Sequence, residues 1–288
     1  MGIESNPIGI IDSGIGGLSM VVALNDLLPS ENIIYIADPL HFPYGEKSKE
    51  ELMIIASSLM SFLIEEKKVK AIVTACGTIS STCLEDFYRL FPVPIFGIIN
   101  PATEEAVKTT QTGKIAVLAT TATVKSGSFR LKIHSKNPNL IVREEAWPEL
   151  VSAIENGSYL TEDWKKWVKN QFIQFETEGF DTIIMGCTHF ALITSFFQSL
   201  IESSQSIVNP ALATAREVRT FLERHHLLAS SGRGKNNIII RGNCQNMEKI
   251  LMEYPDFHSI CPESFPERFS PKPYCCLERS LTPVFHSI

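Results

Sequence analysis

Short, uninterrupted runs rich in Ile and Val recur along the chain, at Ile8 to Ile11, Ile33 to Ala37, Ala71 to Thr74, Ile95 to Ile99, Lys114 to Leu118, Thr182 to Met185 and Ser206 to Val208. An apolar run of this length, with no polar alternation, suits a strand covered on both faces, as strands of a parallel sheet are. The segments Ser48 to Glu66, Val124 to His134, Trp164 to Thr177, Phe190 to Ile201 and Ala211 to His225 have helical length and spacing. Alternation of the two predicts an α/β fold of mainly parallel sheets flanked by helices.

The alternation contains a repeat. The strand and polar turn of Ile8 to Ser13 are echoed by Lys114 to Thr123, and AIVTACGT at Ala71 to Thr78 by TIIMGCT at Thr182 to Thr188. Both echoes share an offset of roughly 110 residues, which predicts two similar domains with the active site in the cleft between them. The first is expected to comprise 1–99 plus 209–254 and the second 100–208, with a boundary near Asn100 and Pro101. A short strand at Ile238 to Ile240 and a helix at Gln245 to Glu253 would precede an irregular tail, 255–288. The 288 residues are enough for two modest domains.

Twenty-six basic against 32 acidic side chains give a net charge of -6. With one short basic cluster, Arg233 to Lys235, there is no electrostatic case for nucleic acid as a partner. No apolar run approaches the roughly 20 residues a membrane span needs, and Met1 to Pro7 lacks the basic start of a signal peptide. A cytoplasmic protein without a membrane partner is expected. An odd count of seven cysteines then argues against a disulfide framework.

Cys76 and Cys187 each follow a predicted strand and stand close to a helix start, where exposed N–H groups stabilise a thiolate. Either one alone reads more readily as core filler, because Cys is among the most buried residue types. Matching positions in a repeated unit favour chemistry. Two thiols on opposite faces of a substrate suit removal of a proton from one side of a carbon and its return to the other. The segment Asp12 to Gly17 follows a strand and opens a helix, yet matches neither GxGxxG nor the P-loop. Asp12 reads equally as a helix cap or as a group orienting a base, and His189 equally as structural or as a partner of Cys187. Glu155, taken alone, reads as an exposed carboxylate. Pro43 to Gly45 is a turn by composition. His225 with His226 and Cys275 with Cys276 lack metal-ligand spacing, so no metal is expected.

Taken together, IDSGIGG at Ile11 to Gly17, PYG at Pro43 to Gly45, ACGT at Ala75 to Thr78, TTATVKSG at Thr120 to Gly127 and GCTH at Gly186 to His189 resemble the glutamate racemase family. The resemblance spans Ile8 to Leu228, more weakly Ile238 to Leu251. It implies a cofactor-independent, typically dimeric enzyme that interconverts L- and D-glutamate, a small-molecule substrate, for peptidoglycan synthesis. By motif match Cys76 would serve the D-enantiomer and Cys187 the L-enantiomer. Asp12 would assist Cys76, and His189 and Glu155 would assist Cys187. Ser13, Tyr44, Gly45, Thr78, Thr120, Thr123 and Thr188, with Asp12, Gly77 and His189, match positions that contact substrate.

The chain departs from the family at Gly77, where an Asn is usual, at Ala191, often Pro, and at Asn209, commonly Asp. The missing amide at Gly77 leaves two alternatives open: a racemase of a related amino acid such as aspartate, or a non-catalytic glutamate-binding relative.

Overall fold

The computed structural model describes residues 2–201, 204–230, 232–242, 263–266 and 269. Its strands are β1 (Ile8–Asp12), β2 (Ile33–Ala37), β3 (Ala71–Thr74), β4 (Ile95–Gly97), β5 (Lys114–Ala119), β6 (Ile141–Ala146), β7 (Thr182–Met185), β8 (Ser206–Val208), β9 (Asn236–Ile240) and β10 (Glu263–Ser264). They form two sheets, ordered β10-β9-β2-β1-β3-β4 and β6-β5-β7-β8. Every pairing is parallel. The fold is therefore α/β with two mainly parallel sheets, as expected.

The order β2-β1-β3-β4 in one sheet is matched by β6-β5-β7-β8 in the other. The repeat thus extends to topology, with β3 and β7, the strands ahead of the two cysteines, in equivalent places. The inner strands β1, β2, β3 and β7 are buried at every residue, which explains their unbroken apolar runs.

The helices are α1 (Leu18–Leu27), α2 (Lys49–Glu65), α3 (Gly77–Thr82), α4 (Leu84–Leu90), α5 (Ile99–Thr109), α6 (Thr121–Ser126), α7 (Ser128–Lys136), α8 (Pro148–Glu155), α9 (Glu162–Thr177), α10 (Thr188–Leu192), α11 (Thr194–Gln198) and α12 (Pro210–Arg224). Ser48 and Glu51 make a reciprocal capping box that starts α2 at its predicted place. The helix expected over Val124 to His134 is two, because Gly127 turns left-handed at φ 62° between α6 and α7. Phe190 to Ile201 likewise divides into α10 and α11 at Ile193.

Four further differences have local causes. Strand β4 stops at Gly97, and Asn100 and Pro101, expected at a boundary, lie in the first turn of α5, a position Pro tolerates. Strand β6, IVREEA, went unpredicted because it is an edge strand whose residues are partly or fully exposed and carry ion pairs, Arg143 with Glu145 and Glu178 among them. Within the stretch expected to be irregular, β10 adds to the sheet edge beside β9, and Phe265 and Phe269 pack edge-on against Phe62 of α2. The helix expected at Gln245 to Glu253 lies outside the described residues, as do Cys244, Cys261, Cys275 and Cys276. No described helix is long and apolar enough to cross a membrane.

Candidate active site

The chain leaves β3 at Thr74 and turns into α3 within three residues, and Cys76 is the residue before that helix. Cys187 stands in the same relation to β7 and α10. Both thiols are free and buried, and both line one cavity of about 360 Å³. The cavity opens at the carboxyl ends of both sheets, where ligands of open parallel sheets bind. Ser13, Tyr44, Gly45, Gly77, Thr78, Thr120, Thr188 and His189 also line it.

The two thiols have different surroundings. Burial, with a lesser contribution from the nearby Asp12 charge, pushes the Cys76 thiol far up, although the backbone N–H groups of Ile79 and Thr78 oppose this. Cys76 therefore holds its proton at rest. Cys187 Sγ lies 3.8 Å from His189 Nδ1, and His189 Nε2 lies 2.6 Å from Glu155 Oε1. Burial works against an imidazolium here, yet the hydrogen bonds to Cys187 and Glu155 outweigh it and hold His189 well above its ordinary value. Its positive charge faces the Cys187 sulfur across that 3.8 Å. One protonated thiol facing another with a cationic partner is an arrangement able to pass a proton through an intervening carbon acid.

Three predicted residues stand behind the wall rather than in it: Asp12, Thr123 and Glu155. Asp12 is fully buried at the end of β1, where Oδ2 accepts from Gly17 N at 2.8 Å and the Thr188 hydroxyl donates to it at 3.3 Å. Thr123 is buried, with its Oγ1 3.0 Å from that of Thr120. Glu155 reaches the site through His189. Tyr44 carries an unexpected constraint, because its hydroxyl donates to Asp38 Oδ2 at 2.7 Å. Its phenol proton is committed there, which leaves the oxygen's lone pairs and the ring edge for a ligand.

The sequence reading missed Phe42, Glu46, Thr121 and one face of α8, namely Pro148, Glu149, Val151 and Ser152. The last four stand at i, i+1, i+3 and i+4 ahead of Glu155, so helical spacing from that carboxylate was the available signal.

Two glycines hold the loops together. A Cβ on Gly16 would come within 2.4 Å of Thr188 Oγ1, and one on Gly77 within 2.4 Å of the Gly186 carbonyl oxygen. Loops from the first sheet thus press directly on the loop that carries Cys187. Departures from the family pattern are also accommodated. Asn209 Nδ2 donates to Ala191 O at 3.3 Å, which an Asp could not do, while its Oδ1 caps α12 through Ala211 N at 2.9 Å. Among the described residues, no group of three or more His, Cys, Asp or Glu side chains is placed to hold a metal ion.

Burial raises Asp12 to about 6, against the lowering effects of His189 and its hydrogen bonds. A carboxyl raised above its unfolded value of 3.8 contributes stability that is present below pH 4 and lost as pH rises through about 6. Asp12→Asn is therefore expected to raise stability at pH 8, by up to about 3 kcal/mol. The gain should vanish near pH 4, and activity should fall. Thermal melts at the two pH values test this; a gain that persists at pH 4 would assign the effect to packing instead.

A family model described as Asp/Glu/Hydantoin racemase matches residues 8–232. Glutamate racemase 2 of Caldanaerobacter subterraneus subsp. tengcongensis is 35% identical over 247 residues, covering 86% of the chain and 92% of that protein. Glutamate racemase of Levilactobacillus brevis is 32% identical over 255 residues, covering 88% and 92%. Among solved structures, glutamate racemase isoform RacE1 from Bacillus anthracis superposes with a TM-score of 0.84 at 30% identity, covering 91% of the chain and 98% of that one. Glutamate racemase from Francisella tularensis in complex with D-glutamate gives a TM-score of 0.80 at 27% identity, covering 91% and 98%.

Proposed function

The chain belongs to the Asp/Glu/Hydantoin racemase family and is an isomerase, and we propose that its reaction is the interconversion of L- and D-glutamate by two cysteines without a cofactor. The observation that carries this reading is the pair of thiols, each after the equivalent strand of its own sheet, lining one cavity with unlike electrostatic partners.

In the L-to-D direction, the Cys187 thiolate takes the α-proton and becomes a thiol. The pair of electrons left on carbon accepts the proton of Cys76 from the opposite face, leaving Cys76 as the thiolate. The reverse reaction exchanges these roles, so the enzyme alternates between two protonation states. His189, held cationic by Glu155, favours the starting state. Asp12 lies close enough to Cys76 for its charge to disfavour the thiolate there, which keeps that proton available for donation. The backbone N–H groups of Thr78 and Ile79 become the thiolate's stabilisers once it is gone. Ser13, Thr78, Thr120 and Thr188 supply hydroxyls for the substrate's carboxylates, and Gly45 and Gly77 supply backbone.

The wider reading is a cytoplasmic homodimer supplying D-glutamate for peptidoglycan, its chain divided at 1–99 plus 209–254 and 100–208. Relatives named glutamate racemase support the substrate assignment.

The test is incubation of the metal-free protein with L-glutamate in D2O without pyridoxal phosphate. Deuterium should enter the α-position as D-glutamate appears, and no exchange with glutamate would overturn the reading. Gly77 favours one second reading, with aspartate as substrate. Exchange on aspartate alone would select it, whereas tight glutamate binding without exchange would indicate a non-catalytic relative.

A further inference from the structure

The C-terminal pairing of the larger sheet reaches the cavity through two buried side chains, Arg241 and Asp38, to which the proposed reaction gives no role. Loop residues 42–46 all line the cavity, and the phenol of Tyr44 within them is anchored on Asp38. Asp38 is fully buried and also holds His41 Nδ1 at 2.9 Å. Behind it stands Arg241, 5% exposed, with Nη1 3.9 Å from Asp38 Oδ2 and 3.2 Å from the Ser58 hydroxyl of α2.

Arg241 follows β9 directly. Its N–H donates to Ala37 O at 2.9 Å and its carbonyl accepts from Leu40 N at 2.9 Å, so the backbone braces both ends of the segment carrying Asp38. Its guanidinium lies 5.0 Å from the centroid of Phe265, whose own N–H donates to Ile240 O at 3.0 Å. A buried carboxylate needs a compensating charge, and a guanidinium under an aromatic face is restricted in orientation.

We propose that Arg241, covered by Phe265, is a positioning residue for the substrate cavity: it holds Asp38, Asp38 holds Tyr44, and the C-terminal strand pairing thereby sets one cavity wall. This rests on the glutamate reading only for the choice of substrate. Tyr44 meets bound substrate and transition state alike, so loosening it weakens binding of both and appears in KM rather than in kcat.

Arg241→Met keeps the stem and removes the charge. It is expected to raise KM for glutamate on the order of ten-fold, the loss of a buried ion pair made at 3.9 Å without a direct hydrogen bond, with kcat within about two-fold. Arg241→Lys should return KM to within about three-fold of wild type, because the charge is retained without the fork. Phe265→Ala should raise KM in the same direction by a smaller factor. Lys70→Met, which breaks a buried pair with Glu31 at the other end of the same sheet, should lower the melting temperature without moving KM.

Unchanged KM in folded Arg241→Met overturns the proposal, as does a KM rise in Lys70→Met equal to that in Arg241→Met. If Arg241→Met does not fold, unchanged KM in Phe265→Ala overturns it. If the wild type binds glutamate without turnover, an outcome that counts against the proposed reaction instead, titration calorimetry on the same variants should show the same pattern in glutamate affinity, and unchanged affinity in Arg241→Met overturns the proposal.

Discussion

Cys76→Ala and Cys187→Ala are each expected to lower racemisation of glutamate by a factor on the order of 10³, the usual worth of a positioned acid or base. Each variant retains one thiol on one face of the α-carbon. Cys76→Ala should still let Cys187 remove and return the α-proton of L-glutamate on the same side. Deuterium would then enter L-glutamate while D-glutamate forms only at the residual, roughly 10³-fold lower rate. Cys187→Ala should show the converse with D-glutamate. Chirality and isotope content read together by mass spectrometry and polarimetry separate this from simple inactivation. Full racemisation in both variants would sink the two-thiol mechanism. Because the two enantiomers have equal free energy, kcat/KM must fall equally in the two directions for any variant, so asymmetry is to be sought in isotope wash-in and not in that ratio.

Gly77→Asn is expected to reduce kcat roughly 10- to 100-fold despite restoring the residue usual in the family, the scale of loss for an active-site misplacement of about 1 Å. A Cβ at 77 would stand 2.4 Å from the Gly186 carbonyl oxygen, and the obstacle is backbone that cannot rotate away. The loops bearing Cys76 and Cys187 must then move apart, with an overpacking cost of about 1–3 kcal/mol. Gly77→Ala should show most of the same loss, since the first carbon causes it. This alters the meaning of a Gly77→Asn experiment: an added amide cannot be assessed apart from the displacement that its Cβ forces. Higher turnover of glutamate in Gly77→Asn than in wild type would show that the loops yield and that the missing amide is what limits this chain.

The fold was legible where burial is symmetric. Strands β1, β2, β3 and β7 read correctly because both of their faces are covered, and an uninterrupted Ile/Val run has few other uses. Edge strand β6 did not read, because one side of it is free and its residues answer to solvent and ion pairs, and β10 at two residues is too short to carry a pattern. Gly127 could be seen in the sequence but not its left-handed turn, so one predicted helix stood where there are two.

The candidate site divides along a similar line. Cys76 and Cys187, with His189 two residues on, could be singled out from strand ends and helix starts, which are local features of the chain, whereas Ser13, Thr78, Thr120 and Thr188 came from the family resemblance; all seven line the cavity. By itself the sequence determined the α/β class, the repeat and the residue types at equivalent strand ends. Only the tertiary structure decided that Asp12 and Glu155 stand behind the wall, that the Tyr44 phenol is committed to Asp38, and that Gly77 is a point of backbone contact. Each of these depends on a distance between segments remote in the chain, set by how the two sheets pack, and local pattern carries no information about that distance.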